Sequence, residues 1–333
     1  MMKKIIDKLL IHKSLTQDEA RLVMTKIMSG EYNNAQIAGF LVALRSKGES
    51  SSEIAGFSQA MRERMTVVKL HSAAIDMCGT GGDARGTFNI STSASFVVAG
   101  AGVKVAKHGT RSLTSKSGSA DVLSALGVDI TLDPHSVSEC IEKVGLGFMF
   151  TPSLHPAMKF AEEVRTSIGI RTVFDLLAPL ANPAGVKRQV LGVYDGYLTV
   201  KLAKVLQKLG SEEALVVHGH DGMDEITTTS STKVTFLKNE KIESSVFSPA
   251  DYGFSTVSIS SLKGGSPEKN AEIIKNILSG QKGPHRDIVL LNAAAGILVG
   301  RSANSLAEGI EKAIESIDSG SALNVLNNLI SFS

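Results

Sequence analysis

The pattern of this chain changes once, near Ala74, and that change limits the architectures open to it. Before it there are only helical signals. Thr16-Gln-Asp-Glu19 reads as a capping box opening a helix that Gly30 ends, and Ser50-Ser-Ser-Glu53 as a second box opening a helix that runs to about Met65. Between them, apolar residues recur at helical spacing from Gln36 to Arg45 and stop at Gly48. The stretch from Met1 to Ile11 is amphipathic, with Lys3, Lys4 and Lys8 spread through it, and so predicts a first helix rather than a signal peptide. After Ala74 come short apolar runs, each followed by a glycine-containing loop and then a helix, the pattern of a mainly parallel α/β sheet. Candidate strands lie at 74–77, 103–106, 147–150, 214–218 and 288–291, and a hairpin at 234–237 and 242–247 turns on Asn239-Glu240. The expected fold is therefore α/β: a small all-helical N-terminal domain over residues 1–70 and a large α/β domain over 71–333. The segment 155–183 reads as helical, then loop-like, and is expected to pack back on the N-terminal helices.

Composition excludes several functions. A chain of 333 residues with 43% hydrophobic content builds a sizeable core. Its 35 basic and 33 acidic residues leave a net charge of +2, so no global positive field marks a nucleic-acid binder, and any anion must be held locally. The apolar run 288–299 contains Asn292 and falls well short of the roughly 20 residues of a membrane span, so no membrane partner is expected. The two cysteines, Cys78 and Cys140, are too few for a disulfide framework and fit a reducing cytoplasm. A catalytic role for Cys78 lacks a His/Asn signature nearby.

The chemistry-bearing loops share glycine, hydroxyls and backbone N–H groups rather than a nucleophile. Asp76-Met-Cys-Gly-Thr-Gly-Gly-Asp83 follows a predicted strand, and its glycines allow backbone N–H groups to converge on phosphate oxygens. By itself this turn fits a phosphate cradle and an ordinary tight turn equally. Asn89-Ile-Ser-Thr-Ser-Ala-Ser95 then places hydroxyls ahead of an apolar helix predicted over 96–101, whose N-terminus attracts anions. The segment 107–121 adds Lys107, Arg111 and Lys116 among hydroxyls and glycines before a helix predicted over 120–126, a density of donors suited to a diphosphate. A diphosphate leaving group also calls for charge neutralisation. Asp224-Glu225, at the end of a buried-looking strand, is the candidate magnesium pair. His218-x-His220 has the alternation of a zinc-binding strand, but no third ligand follows at suitable spacing.

In this order the segments resemble anthranilate phosphoribosyltransferases, through Gly79-Thr-Gly-Gly-Asp83, Asn89-x-Ser-Thr92, Lys107-His-Gly-x-Arg111, Ser117-Gly-Ser-Ala-Asp121, His155-Pro-Ala157, Arg165-x-x-x-Gly-x-Arg-Thr172 and Asp224-Glu225. The likeness covers nearly the whole chain. It implies the nucleoside phosphorylase/phosphoribosyltransferase type of fold, a homodimer joined through the helical domain, and transfer of phosphoribosyl from 5-phosphoribosyl 1-diphosphate (PRPP) to the amine of anthranilate in tryptophan biosynthesis. It further implies that Gly79, Gly82, Asp83, Thr87, Asn89, Ser91, Thr92, Lys107, Ser115 and Ser119 bind PRPP, and that Ser91, Asp224 and Glu225 hold Mg2+. Arg165 would meet the carboxylate of anthranilate, with Gly79, His108 and Thr110 around its ring, and Lys107 and His108 would support a catalysis without a nucleophile. The sequence departs from the family pattern at Thr110 and Asp175, where the family usually has Asn, and at Ala178, where it usually has Gly. Two other readings remain beside this one. A pyrimidine nucleoside phosphorylase shares the architecture but has no diphosphate to shield, and a non-catalytic nucleic-acid-binding relative should have lost the turn or the carboxylates.

Overall fold

The computed structural model of the chain describes residues 1–83, 85–112 and 116–333. Four helices come first: α1 (Met2–Leu10), α2 (Gln17–Ile27), α3 (Asn34–Lys47) and α4 (Ser51–Arg62). Both predicted capping boxes form, and a third forms at Asn33 and Gln36, so each of these starts satisfies orphan N–H donors from its own sequence. Glu53 also ties the helices together. Although fully buried, it accepts from the Leu15 N–H at 2.9 Å and from Lys47 Nζ at 2.8 Å.

A seven-stranded sheet follows, built from β1 (Ile75–Gly79), β2 (Val105–Gly109), β3 (Leu146–Phe150), β4 (Arg188–Gly192), β5 (Glu213–Gly219), β6 (Thr232–Lys238) and β7 (Lys241–Phe247). Its order is β3-β2-β1-β4-β5-β6-β7, parallel through β5, with β6 and β7 added as an antiparallel hairpin. The hairpin turns on Asn239 and Glu240 as predicted, both at positive φ (50° and 61°), as a two-residue turn matched to the strand twist requires. Between β1 and β4 the winding direction reverses. Crevices at such reversals, beyond the carboxyl ends of the strands, are where open α/β sheets bind ligands.

The remaining helices are α5 (Ile90–Gly100), α6 (Ser119–Leu126), α7 (Pro134–Val144), α8 (Thr151–Leu154), α9 (Lys159–Ile168), α10 (Phe174–Leu177), α11 (Leu198–Lys208), α12 (Pro267–Leu278), α13 (Pro284–Val299), α14 (Leu306–Asp318) and α15 (Ser321–Phe332). Alternate residues of β5 face two cores: Leu215 and Val217 pack with α5, α6 and α12–α15, while Ala214 and Val216 pack with α1–α4 and α9–α11. The N-terminal helices thus share one core with the 161–181 segment and one face of the sheet.

Three sequence expectations need correction. Residues 288–291 are not a strand but the second turn of α13, where Ile288, Val289, Leu290 and Leu291 are all buried. A helix wrapped by core on every side has no polar stripe, and a short window of it is indistinguishable from a buried strand. The true fifth parallel strand is β4, which the apolar count passes over because Gln189 interrupts it. Gln189 is buried nonetheless, its amide donating to the Pro179 carbonyl at 3.3 Å. Finally, α5 starts at Ile90 rather than Phe96. The hydroxyls of Ser93 and Ser95 lie inside it and donate back to the carbonyls of Asn89 and Ser91 at 2.8 and 2.7 Å.

Candidate active site

Residues Gly79 and Gly192 close β1 and β4 in the same register, side by side at the mouth of the crevice. The β5–β6 loop folds over them. A Cβ on Gly79 would lie 2.3 Å from Asp224 Oδ2, and one on Gly192 only 1.6 Å from the Asp224 carbonyl oxygen, so both strand ends must be glycine for Asp224 to sit here. Asp224 Oδ2 accepts the Gly81 N–H at 2.8 Å, and the neighbouring Glu225 accepts the Ser91 N–H at 3.1 Å from the first turn of α5. The glycine turn, the start of α5 and the acidic pair are therefore joined directly. Lys107, at 2% exposure, reaches the same cluster from β2, donating to the Met77 carbonyl at 2.6 Å and standing 3.5 Å from Ser91 Oγ.

This cluster is electrostatically unfinished. Burial, followed by the nearby Asp83 carboxylate, pushes Asp224 up to about 6. Burial, followed by Asp224, holds Glu225 well above the usual carboxylate range. Burial pulls Lys107 down, while Asp76, Cys78 and Glu225 act to keep it charged. Asp76 is fully buried and raised by desolvation, with Asn182 Nδ2 donating to it at 2.8 Å. Among the described residues no group of three or more His, Cys, Asp or Glu side chains forms a ready-made metal cage. The oxygen donors of Asp224 and Glu225 are of the kind that would suit a hard cation.

The other predicted residues divide. Asn89 is held on both sides, donating to the Ser117 carbonyl at 3.1 Å and accepting from Asn270 of α12 at 2.9 Å. Thr92 is buried in the first turn of α5, Thr87 forms a bridge with Lys263, and Asp83 accepts the Arg85 N–H at 3.0 Å. Ser119 stands 3.4 Å from the carbonyl of Thr110, which is itself exposed. Ser115 lies outside the described residues. The His108 ring points away from the acidic pair, its Nε2 3.0 Å from Thr151 Oγ1 and its centroid 5.0 Å from that of His155. Burial, then the neighbouring His155, pulls His108 down to about 3, and burial alone pulls His155 to about 4, so both rings are neutral near pH 7.

Arg165 is joined to none of the other predicted residues. Its Nη2 lies 3.2 Å from Asp175 Oδ1, and its guanidinium 5.3 Å from the centroid of the Phe174 ring. The link to the crevice runs through Arg171, which stacks 4.0 Å over the Tyr194 ring and donates to the Gly82 carbonyl. Burial, then Asp76, raises the Cys78 thiol well above its ordinary value, which disfavours a thiolate nucleophile. His218 and His220 do not converge on a metal. Their Nδ1 atoms bond the Val193 carbonyl and the Ser231 hydroxyl at 2.7 and 2.8 Å.

Sequence reasoning missed Asn182, Gly192, Asn270 and Asn292 as parts of this site, and it carried Arg171 in the Arg165-x-x-x-Gly-x-Arg-Thr172 motif without giving it a role. Asn292 carried a visible signal, a polar residue within an apolar run. Fully buried on α13, its side chain brackets one residue beyond Glu225: it accepts the Ile226 N–H at 3.0 Å and donates to the Ile226 carbonyl at 2.8 Å.

Fold and site together define a glycosyl transferase of two parts. The helical-bundle domain of the glycosyl transferase family matches residues 3–65, and its a/b domain matches residues 71–323. Anthranilate phosphoribosyltransferases of Alkaliphilus metalliredigens and Methanocorpusculum labreanum are 51% and 52% identical to the chain, covering 100% and 99% of it and 98% and 97% of their own lengths. The crystal structure of anthranilate phosphoribosyltransferase from Thermus thermophilus superposes with a TM-score of 0.94 at 41% identity, covering 98% of each chain. The solved structure of anthranilate phosphoribosyltransferase from Saccharomyces cerevisiae in complex with PRPP and Mg superposes with a TM-score of 0.91 at 31% identity, covering 99% of this chain and 97% of that one. The chain belongs to the anthranilate phosphoribosyltransferase family. Among the described residues no helix is long and apolar enough to cross a membrane.

Proposed function

We infer that the chain transfers the phosphoribosyl group of PRPP to the amine of anthranilate, giving N-(5-phosphoribosyl)anthranilate and diphosphate for tryptophan biosynthesis. The observation that carries this reading is the seating of Asp224 against Gly79, Gly192 and the Gly81 N–H at the point where the sheet reverses. The turn from Gly79 to Asp83, with Thr87, Asn89, Ser91, Thr92, Lys107, Ser115 and Ser119, binds PRPP. Its oxygens take the backbone donors of the turn and the charge of Lys107. Ser91, Asp224 and Glu225 hold Mg2+, which when bound neutralises charge on the diphosphate. Arg165 faces the acceptor carboxylate with a planar fork of donors, while Gly79, His108 and Thr110 border the acceptor ring.

In the reaction the bond from the anomeric carbon to the diphosphate oxygen breaks and its electron pair leaves with diphosphate. The amine lone pair forms the new carbon–nitrogen bond, and the anilinium then releases a proton. An anilinium is a strong acid, so neutral His108 and His155 need not act as bases. The chain's contribution is to position both reactants and to stabilise the departing charge. We further place the enzyme in the cytoplasm as a homodimer paired through the helical domain, where Leu10 and Ile11 are each 63% exposed. A mass near that of one chain by light scattering would remove the dimer. For the reaction, loss of anthranilate fluorescence is expected only when PRPP and Mg2+ are both present, and no loss under any condition would overturn the assignment.

A further inference from the structure

The guanidinium assigned to the acceptor already has a carboxylate partner from its own chain. Gly169 ends α9 at a φ of 65°, and the chain turns back so that α10 lies beside the Arg165 side chain. Asp175, in α10, is fixed by accepting the Thr172 N–H on Oδ2 at 2.8 Å, which leaves Oδ1 aimed at Arg165 Nη2 at 3.2 Å. The contact involves one oxygen and one nitrogen rather than a two-pronged fork, so other N–H donors of Arg165 remain for a second anion. The pair is half-buried, with side-chain exposures of 22% for Arg165 and 32% for Asp175, so each charge is felt by the other. The same 165–175 segment is docked on the phosphate turn through Arg171 and the Gly82 carbonyl, which places the pair at the margin of the crevice.

We propose that Asp175 is a specificity-determining residue: it acts as a standing internal counter-ion on Arg165 and lowers the preference of the acceptor site for an anionic acceptor. This rests on the reading of Arg165 as the acceptor-carboxylate residue. An acceptor carboxylate entering beside the pair meets one positive and one negative charge, so it gains less than it would from an unpaired guanidinium. A neutral aromatic amine entering the same place leaves the guanidinium paired and is not penalised for lacking a charge.

Asp175→Asn keeps an oxygen to accept from Thr172, removes the charge, and sets an NH2 donor where Oδ1 accepted from Arg165, so the guanidinium is released from its partner. Its KM for anthranilate is expected to fall roughly three- to tenfold while the KM for PRPP holds, and inhibition by the neutral probe 2-aminobenzamide should not tighten in parallel. Asp175→Ser, a shorter neutral acceptor, should move anthranilate KM in the same direction, and thermal melting of both variants checks folding. Arg165→Ala should raise the KM for anthranilate, and adding Asp175→Asn to it should then change nothing further. A rise or no change in anthranilate KM for both Asp175 variants, with Arg165→Ala still impaired, overturns the counter-ion role while leaving the Arg165 assignment standing. Unchanged anthranilate kinetics in Arg165→Ala would instead remove the assignment on which the proposal rests.

Discussion

The proposed donor and acceptor sides of this crevice are built from different materials. On the donor side the contacts are backbone N–H groups, a pair of strand-end glycines in register and two half-buried acids beside them, all held at the carboxyl end of the sheet. On the acceptor side they are side chains on two short helical segments, joined by a half-buried ion pair and one guanidinium resting on a tyrosine ring. The first arrangement has little slack at the strand ends, because an added Cβ would meet the Asp224 main chain at Gly192 and the Asp224 carboxylate at Gly79. The second can be retuned by one side chain without disturbing the sheet.

The largest effect should come from emptying the donor side of charge. Asp224→Asn combined with Glu225→Gln should lower turnover at limiting Mg2+ on the order of a hundredfold or more, measured as anthranilate consumption, with anthranilate KM little changed. Normal activity under those conditions would remove the metal role of the pair. Next, Gly192→Ala drives a methyl group into the Asp224 carbonyl, which as main chain cannot swing aside. A loss of stability of at least about 3 kcal/mol, together with a raised Mg2+ requirement, is expected. Gly39→Ala in α3 offers the contrast: its Cβ would meet only Ile6 Cδ1, at 3.5 Å, so it should be neutral or stabilising by up to about 1 kcal/mol in chemical denaturation. Equal losses in the two variants would show that the crevice glycine is not special.

Asn292 tests how far the rigidity of the donor side extends behind the contacting residues. Its amide closes two hydrogen bonds around Ile226 and a third to the Ile288 carbonyl at 2.9 Å, so Asn292→Ala leaves buried main-chain groups unpaired beside Glu225. A cost of about 1–3 kcal/mol is expected, with weaker Mn2+ binding in the presence of diphosphate by electron paramagnetic resonance. Lost stability with unchanged Mn2+ binding would make Asn292 structural only.

The same division explains what could be read from the sequence. The proposed donor residues lie in compact motifs, since a backbone cradle needs glycines and hydroxyls at fixed spacing along one loop. Thus the glycine turn, Ser91, Lys107 and Asp224-Glu225, which the fold brings together, each stand in a motif legible in the sequence. What stayed hidden depends on packing between distant segments. Gly192 is one glycine among many until β4 is paired with β1, and β4 itself was masked by buried Gln189. The Arg165–Asp175 pair arises only because α10 folds back beside α9. Periodicity failed at α13 for the related reason that a helix enclosed by core on all sides shows no period.

The smallest effect separates the two sides by pH. Asp224, pushed up to about 6, and Glu225, held well above the usual carboxylate range, keep protons in the folded protein that the unfolded chain has already released. Their contribution to stability is therefore full at low pH and is lost as pH rises through about 6. His108 and His155 act oppositely. Held down to about 3 and 4, they remain neutral in the fold, so their contribution is present above the ordinary imidazole value near 6.5 and is lost as pH falls toward those depressed values. In wild type the two trends offset one another between about pH 4 and 6, and a single melting curve hides both. Asp224→Asn with Glu225→Gln removes only the acidic trend. Without metal or substrate, this variant should melt with wild type near pH 4 and become more stable than it by about 1–2 kcal/mol at pH 7.5, the half-buried position of Asp224 keeping the gain modest. Calorimetry at the two pH values decides it: a stability difference that does not grow with pH would mean the half-buried acids are already balanced by Lys107, and the proposed donor side would be electrostatically complete without a cation.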